Sequence, residues 1–139
     1  MAAFVPEIGS KSFINMLLTQ MNSGTDVKVR LYTNNYTPVF GTVIGNFTEA
    51  AFPGYAAINV NDWTVGADVS SLRVQLISSA VKTFTYSGGG SPPYTVYGYY
   101  ITSVAYGLMY AELGSTGPYS LSVTGQQLTL TPLIEVGNC

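Results

Sequence analysis

The chain has 139 residues, 47% hydrophobic and 13% aromatic, and its 5 basic against 7 acidic side chains leave a net charge of −2. That length fits one domain with its own core, while five scattered basic residues offer no patch for nucleic acid and no apolar run reaches the ~20 residues of a membrane-spanning helix. With no histidine and one cysteine, Cys139, the usual serine-protease triad, thiol catalysis, an intrachain disulfide and most zinc sites are not expected.

The opening "MAAFVPEIGSKSF" lacks a basic stretch followed by an apolar one, so no secretory signal is expected and folding in a reducing cytoplasm is. The sequons at Asn35 and Asn46 are accordingly read as chance. Residues 10–21, "SKSFINMLLTQM", predict a helix. Ser10 or Ser12 caps it, Phe13, Met16, Leu17 and Met21 recur at helical spacing, and "NSG" at 22–24 stops it. Its wide apolar face, with Phe13 and Leu17, serves either to cover one end of a sheet or to meet a neighbouring subunit.

From Asp26 onward the pattern is β. In "VKVRLYT" (27–33), Val27, Val29 and Leu31 alternate with Lys28, Arg30 and Tyr32. Further strands are expected at 55–60, 71–77, 81–86, 94–102, 107–113, 119–123 and 127–133. "GGGSPP" (88–93) reads as a flexible hairpin tip and "TGQQ" (124–127) as a tight hairpin turn. About eight short strands with regular turn signals predict a mainly β fold, a jelly-roll-like antiparallel β-sandwich with one N-terminal helix. The chain shows no repeat or linker, so 1–139 is read as one domain, with strands from about 27 to 133.

The pattern holds little catalytic chemistry. Glu49, Asp62, Asp68 and Glu112 are the candidates for a hydrolytic carboxylate pair, but they share no recognisable spacing. Glu112 reads as an ordinary outward carboxylate sharing a face with Tyr110. Asp62 and Asp68 offer oxygens for calcium, yet "NDWTVGADVS" does not match the EF-hand loop. "GGGSPP" lacks the Gly-Lys-Ser/Thr ending of a phosphate loop. No catalytic residue, cofactor or metal site is therefore expected. The aromatics carry more information: Tyr94, Tyr97, Tyr99, Tyr100, Tyr106 and Tyr110 fall within one short span. On adjacent strands they would form a face suited to cross-strand packing, a subunit or partner contact, or a carbohydrate platform.

"VKVRLYTNNYTP" (27–38), "GNFTEAAFPGYA" (45–56), "VYGYYIT" (96–102) and "LMYAEL" (108–113), after an apolar helix, resemble small virion-associated proteins of tailed bacteriophages and prophages. That family's pattern runs Leu-Phe/Tyr-Thr-Asn-Asp-x-Thr-Pro, Phe-Thr-Glu-Ala-x-Phe-x-Gly-Tyr and Tyr-Gly-Tyr-Tyr-Val-Thr. The likeness covers nearly the whole chain in the same order and implies a phage particle component. Asn35 stands where the family often has Asp, which removes a charge.

Only 9% of the residues are charged, against about a quarter in a typical globular chain. A surface of Gly, Tyr, Thr, Ser and Asn is polar yet easily desolvated, which suits a protein living in a large assembly. The expectation is a non-enzymatic capsid decoration or cement protein, acting as a homo-trimer on the major capsid protein or another virion protein. It would be made in the bacterial cytoplasm and sit on the capsid surface, with no nucleic-acid or membrane partner. The alternative is a tail or fibre module binding a host glycan through the tyrosines. A glycan-degrading enzyme would need two facing carboxylates. The segment "NFTEAAFPGYA" (46–56) is expected to be a long connection pinned by Phe47, Phe52 and Tyr55. In it Pro53-Gly54 makes the turn, and Glu49 accepts backbone or nearby hydroxyl hydrogen bonds as a fastener of the loop.

Overall fold

In chain order, a computed structural model describes residues 15–65 and 73–137. Phe13, the first half of the predicted helix, Asp68 and Cys139 lie outside the described residues. Residues 15–21 are helical and end where Asn22 N–H donates to Leu18 O and Gly24 takes φ +65°. Met21 is buried, and Leu17 and Leu18 pack on the core of the same chain. The Asn22 side chain then grips Trp63 on both sides. Its Oδ1 accepts the Trp63 N–H at 2.7 Å and its Nδ2 donates to the Trp63 carbonyl at 3.0 Å, as a neighbouring strand would.

Eleven strands follow among the described residues, every pairing antiparallel. They are β1 (Val27–Tyr32), β2 (Ile58–Asn59), β3 (Trp63–Val65), β4 (Arg73–Ser78), β5 (Lys82–Thr85) and β6 (Tyr94–Val96). β7 (Gly98–Ser103), β8 (Gly107–Leu113), β9 (Tyr119–Leu121), β10 (Gln127–Leu130) and β11 (Leu133–Gly137) complete them. The main sheet has the order β2-β1-β7-β8, with Val29 opposite Ile101 and Arg30 opposite Tyr100. Facing it are a three-stranded sheet β11-β4-β3 and the pairs β10-β5 and β6-β9.

The principal core lies between these layers. Val27, Val29, Leu31 and Ile101 meet Leu76, Phe84, Tyr86, Val96, Leu121, Ile134 and Trp63 there. The mainly β sandwich read from the sequence is thus the observed fold. At roughly 25 cal/mol per Å² of apolar surface removed from water, this layer is the main source of stability.

The expected strand 119–123 ends early, at Leu121, and three others are divided or shortened for local reasons. The run 94–102 breaks at Tyr97 and switches sheets, β6 pairing with β9 and β7 with β1. Gly98 permits this crossing, because a Cβ there would strike the Glu112 carbonyl oxygen and the Tyr32 hydroxyl. The run 127–133 breaks at Pro132, which has no N–H to give a ladder and instead accepts from Ser78 N. The run 55–60 shrinks to β2 because Tyr55 is occupied elsewhere. The turn at 124–127 forms, with Gly125 at φ +86°, but β9 and β10 that flank it belong to different pairs.

The "GGGSPP" stretch is likewise no hairpin tip, since β5 and β6 do not pair with each other. It is clamped rather than loose. Tyr86 donates to the Gly89 carbonyl, Ser91 N–H donates to the Tyr94 hydroxyl at 2.9 Å, and the two rings lie 5.6 Å apart.

Candidate functional site

The outer face of the main sheet carries Lys28, Arg30 and Tyr32 from β1, with Tyr100 and Thr102 from β7 beside them. Alternation on β1 sends these side chains away from the principal core. The connection 33–49 folds over this face and seals half of it. Phe47 stacks on Tyr100 with centroids 4.7 Å apart and planes at 9°, and lies 4.9 Å from Tyr32; Tyr36 meets Phe47 edge-on at 5.5 Å. Tyr32, Phe47 and Tyr100 form a second small core, with Tyr36, Tyr97, Leu108, Ala111 and Leu113 against it.

The return of the connection is fastened at Glu49. Residues 48–50 extend β1, with Thr33 N–H donating to Thr48 O and Ala50 N–H to Leu31 O, both at 2.9 Å. Glu49 accepts from Arg30 Nη1 at 2.8 and 3.0 Å, and from the Tyr55 hydroxyl at 2.9 Å. Its partners are a guanidinium and the Tyr55 hydroxyl, where backbone amides or a hydroxyl near Thr48 were expected from the sequence. Arg30 Nε also donates to Thr102 Oγ1 at 3.1 Å. Tyr55 in turn receives the Leu31 N–H at 3.1 Å, and stacks on Phe84 at 5.7 Å. Burial, then the neighbouring Glu49, pushes the Tyr55 hydroxyl far above its ordinary pKa, so it stays a donor. Phe52 is buried in the principal core. Pro53-Gly54 makes the turn, closed by Tyr55 N–H to Phe52 O, with Gly54 at φ +89°.

Between these anchors, many of the connection's polar groups bond to one another, while Asn35, Thr37, Asn46 and Thr48 stay exposed to water. Asn34 pairs through its amide with Asn46 O at 2.9 Å and Thr48 N at 2.7 Å. Tyr32 donates to the Tyr36 carbonyl at 3.1 Å, and the Tyr36 and Thr42 hydroxyls meet at 3.0 Å. A turn at Val39–Thr42 closes through Thr42 N–H to Val39 O, with Gly41 at φ +91°, and Val39 N–H donates to Thr42 Oγ1. Val43 N–H is taken by Asn46 Oδ1 at 2.9 Å, ahead of a single 3-10 turn over Ile44–Asn46.

At the tip, 39–44, the exposed side chains are apolar while Thr42 is half-buried. Phe40 at the tip is wholly exposed at 107%, with Val39 at 64%, Val43 at 59% and Ile44 at 44%. A loop normally shows water its polar side; at this tip the order is inverted.

Two shallow clefts flank the inverted loop. One, of about 290 Å³, is lined by Lys28, Arg30, Glu49, Tyr100, Ile44 and Val104 among others. The second, of about 540 Å³, runs between Pro38–Thr42 and Leu108–Ala111 of β8, the last strand of the main sheet.

The six clustered tyrosines do not make one platform. Tyr100 is buried beneath Phe47, and Tyr97 packs beside that cluster. Tyr99 and Tyr110 lie on the opposite, core-facing side, and Tyr94 clamps the glycine loop; Tyr106 alone stands out, 65% exposed, at the turn before β8.

Glu112 does not point outward as expected. It shares the core-facing side with Tyr99 and Tyr110 and accepts their hydroxyls at 3.0 and 3.4 Å. Burial and the Glu112 charge lift Tyr110 to about 12 and Tyr99 higher still; the same two causes lift Tyr32 to about 12. Burial and the Glu49 charge, against the Arg30 charge, also raise Tyr100.

Asp62 anchors the β4–β5 turn, accepting Ser78 Oγ at 2.8 Å, Ser79 Oγ at 3.1 Å, Ala80 N at 2.9 Å and Lys82 Nζ at 3.1 Å. Partial burial raises its pKa, but the hydrogen bonds from Ser78, Lys82 and Ser79 outweigh that and hold it below the ordinary value. Asp26 accepts Ser103 Oγ and Ala105 N–H at the β7–β8 turn. Each of these carboxylates is thus committed to holding a turn, a loop or a tyrosine. Among the described residues, no three His, Cys, Asp or Glu side chains gather as metal ligands would.

Sequence reasoning passed over the stretch 39–44. The available signal was an apolar, unperiodic "PVFGTVIG" inside the 18 uncharged residues from Leu31 to Thr48. Compared with protein-family models, curated proteins and solved structures, the chain matches none.

Proposed function

We propose that this protein is a non-enzymatic structural component of a tailed-phage or prophage particle, a decoration or cement protein that binds other virion subunits. The observation that carries the reading is the inverted loop, in which Val39, Phe40, Val43 and Ile44 are displayed on a base fixed by Phe47, Tyr100, Asn34 and the Arg30–Glu49 pair. A stiff apolar projection loses little conformational freedom on docking, which lowers one cost of binding. Contiguous exposed apolar surface of this kind marks an interaction site. The charge-poor surface and the likeness of the strand and loop motifs to virion-associated proteins support the same reading. Repetition over a shell would turn modest individual contacts into firm attachment.

Quantitative copy number in purified particles tests this. A count equal to the major capsid protein, or a simple fraction of it, is expected. A few dozen copies would favour a tail or fibre location, and absence from particles would defeat the structural reading.

A further inference from the structure

We infer that the partner seated on the inverted loop is a second copy of this chain, related by a two-fold axis, with each Phe40 entering the cleft between the other copy's 38–42 turn and β8. The inference rests on reading that loop as an assembly surface and names what covers it.

Three observations point to self-association. First, knob and hole are on one patch. Phe40 is fully exposed at the tip, and the cleft of about 540 Å³ beside it is lined by Pro38–Thr42 and by Leu108, Met109, Tyr110 and Ala111. A ring needs two complementary patches on different sides of the subunit, whereas a two-fold pair needs one patch that fits itself. Contiguity therefore selects the two-fold over the three-fold expected from the sequence.

Second, the patch carries no charge. Neither 36–46 nor 104–111 contains an acidic or basic residue, so two copies bring no like charges together across the axis. The nearest ionic groups are Arg30 with Glu49, Glu112 with the Tyr99 and Tyr110 hydroxyls, and Lys28 and Asp26 in the cleft beside Ile44, where they bring both signs of charge.

Third, β8 forms the edge of the main sheet, and a bulge at Met109 is its one evident guard. Seven residues, Gly107–Leu113, contain no lysine or proline, and the lone glutamate is turned to the core side. Such an edge is open to pairing unless covered. The same surface continues past the β7–β8 turn, where Val104 is 86% exposed and shares a cleft with Ile44. A stable pair would need about 800 Å² per partner, drawn from the loop, the turn and the edge strand together.

Sedimentation velocity over a concentration series tests the pair in the purified full chain. The wild type is expected to dimerise. Phe40→Asp is expected to weaken the dimer by about a hundredfold or more, because it buries a charge in an apolar hole. Phe40 touches solvent only, so the variant should melt like the wild type. Val123→Asp, at another exposed apolar position, is expected to leave the dimer intact.

Geometry is tested by mixing Phe40→Cys protein with Met109→Cys protein, both carrying Cys139→Ser, under mild oxidation. A disulfide-linked heterodimer is expected. A wild-type monomer throughout the series overturns the proposal, as does a dimer indifferent to Phe40→Asp. A monomer that floats with phosphatidylcholine–phosphatidylglycerol vesicles through Phe40 also overturns it, in favour of a lipid surface. Incorporation of a monomeric wild type into particles would sink the self-pairing while leaving the structural role standing.

Discussion

The Tyr55 hydroxyl donates to Glu49 Oε1 at 2.9 Å and in the same position receives the Leu31 N–H at 3.1 Å, so one side-chain oxygen bridges a gap in the pairing of β1. On one side of that gap Val29 pairs with Ile58, and on the other Tyr32 pairs with Glu49. Tyr55→Phe keeps the stack on Phe84 but orphans a backbone donor and removes one of the donors to Glu49. A loss of about 1–3 kcal/mol is expected in denaturant unfolding. A variant as stable as the wild type would show that the hydroxyl bridges nothing.

Glu49→Ala should cost less. The Arg30–Glu49 pair is about one-third exposed, with side-chain exposures of 29% and 37%, so solvent screens much of its attraction. About 0.5–1.5 kcal/mol is expected, chiefly from leaving Tyr55 and Arg30 without their acceptor. Glu49→Gln should recover part of it, because an amide oxygen still accepts from Tyr55. A Glu49→Ala loss exceeding that of Tyr55→Phe would reverse the ranking.

Acid and alkali should act through different groups. The Asp62 carboxyl is held below its ordinary pKa in the folded chain, so its contribution is present above the unfolded value and disappears as pH falls through the folded one. Asp62→Asn should therefore flatten the acid limb of a stability-against-pH curve while lowering stability near neutrality. At high pH the sign reverses. Tyr32 and Tyr110 are raised to about 12, so the folded state holds their protons while the unfolded state releases them from about 10 upward. Stability should decline across that window, with tyrosinate absorbance rising together with unfolding. Full titration of all tyrosines in a still-folded protein would contradict the burial described.

Two glycines should respond differently to alanine. At Gly98 a Cβ would strike the Glu112 carbonyl oxygen and the Tyr32 hydroxyl, neither of which can move without breaking the sheet or the second core. A cost of about 3 kcal/mol or more, or failure to fold, is expected. At Gly89, φ is +89° but nothing lies within 4 Å, so only the backbone penalty of about 1 kcal/mol is expected. Thermal melts of the two variants check the order.

These contrasts also mark what the residues disclosed by themselves. Alternation in "VKVRLY" placed Val27, Val29 and Leu31 in the core because a strand's side chains obey a period of two whatever the topology. The bounds of β8 were legible for the same reason. The sheet switches at Tyr97 and Pro132 were not, since a break in pairing depends on which strand lies alongside. Phe47, Phe52, Tyr55 and Glu49 were read as one fastening, but Phe47 joins the second core and Phe52 the principal one, and the Arg30 guanidinium on Glu49 was missed because it lies 19 residues back along the chain. The tyrosine cluster was legible as cross-strand packing, as Tyr99 with Tyr110 shows, but not as a single face: neighbours on a strand point to opposite sides, so Tyr99 and Tyr100 part company. Phe40 escaped notice because apolar residues in a loop read as buried until the polar groups around them are seen to satisfy one another.

The measurement that bears most directly on the central claim is competitive incorporation of Phe40→Asp against the wild type into the same particles, alongside the melting temperature of each. Unchanged melting with the variant excluded from particles is the predicted result, placing Phe40 in assembly and not in folding. Equal incorporation of the two proteins would contradict the account, because a charge at the tip of the inverted loop would then obstruct no contact.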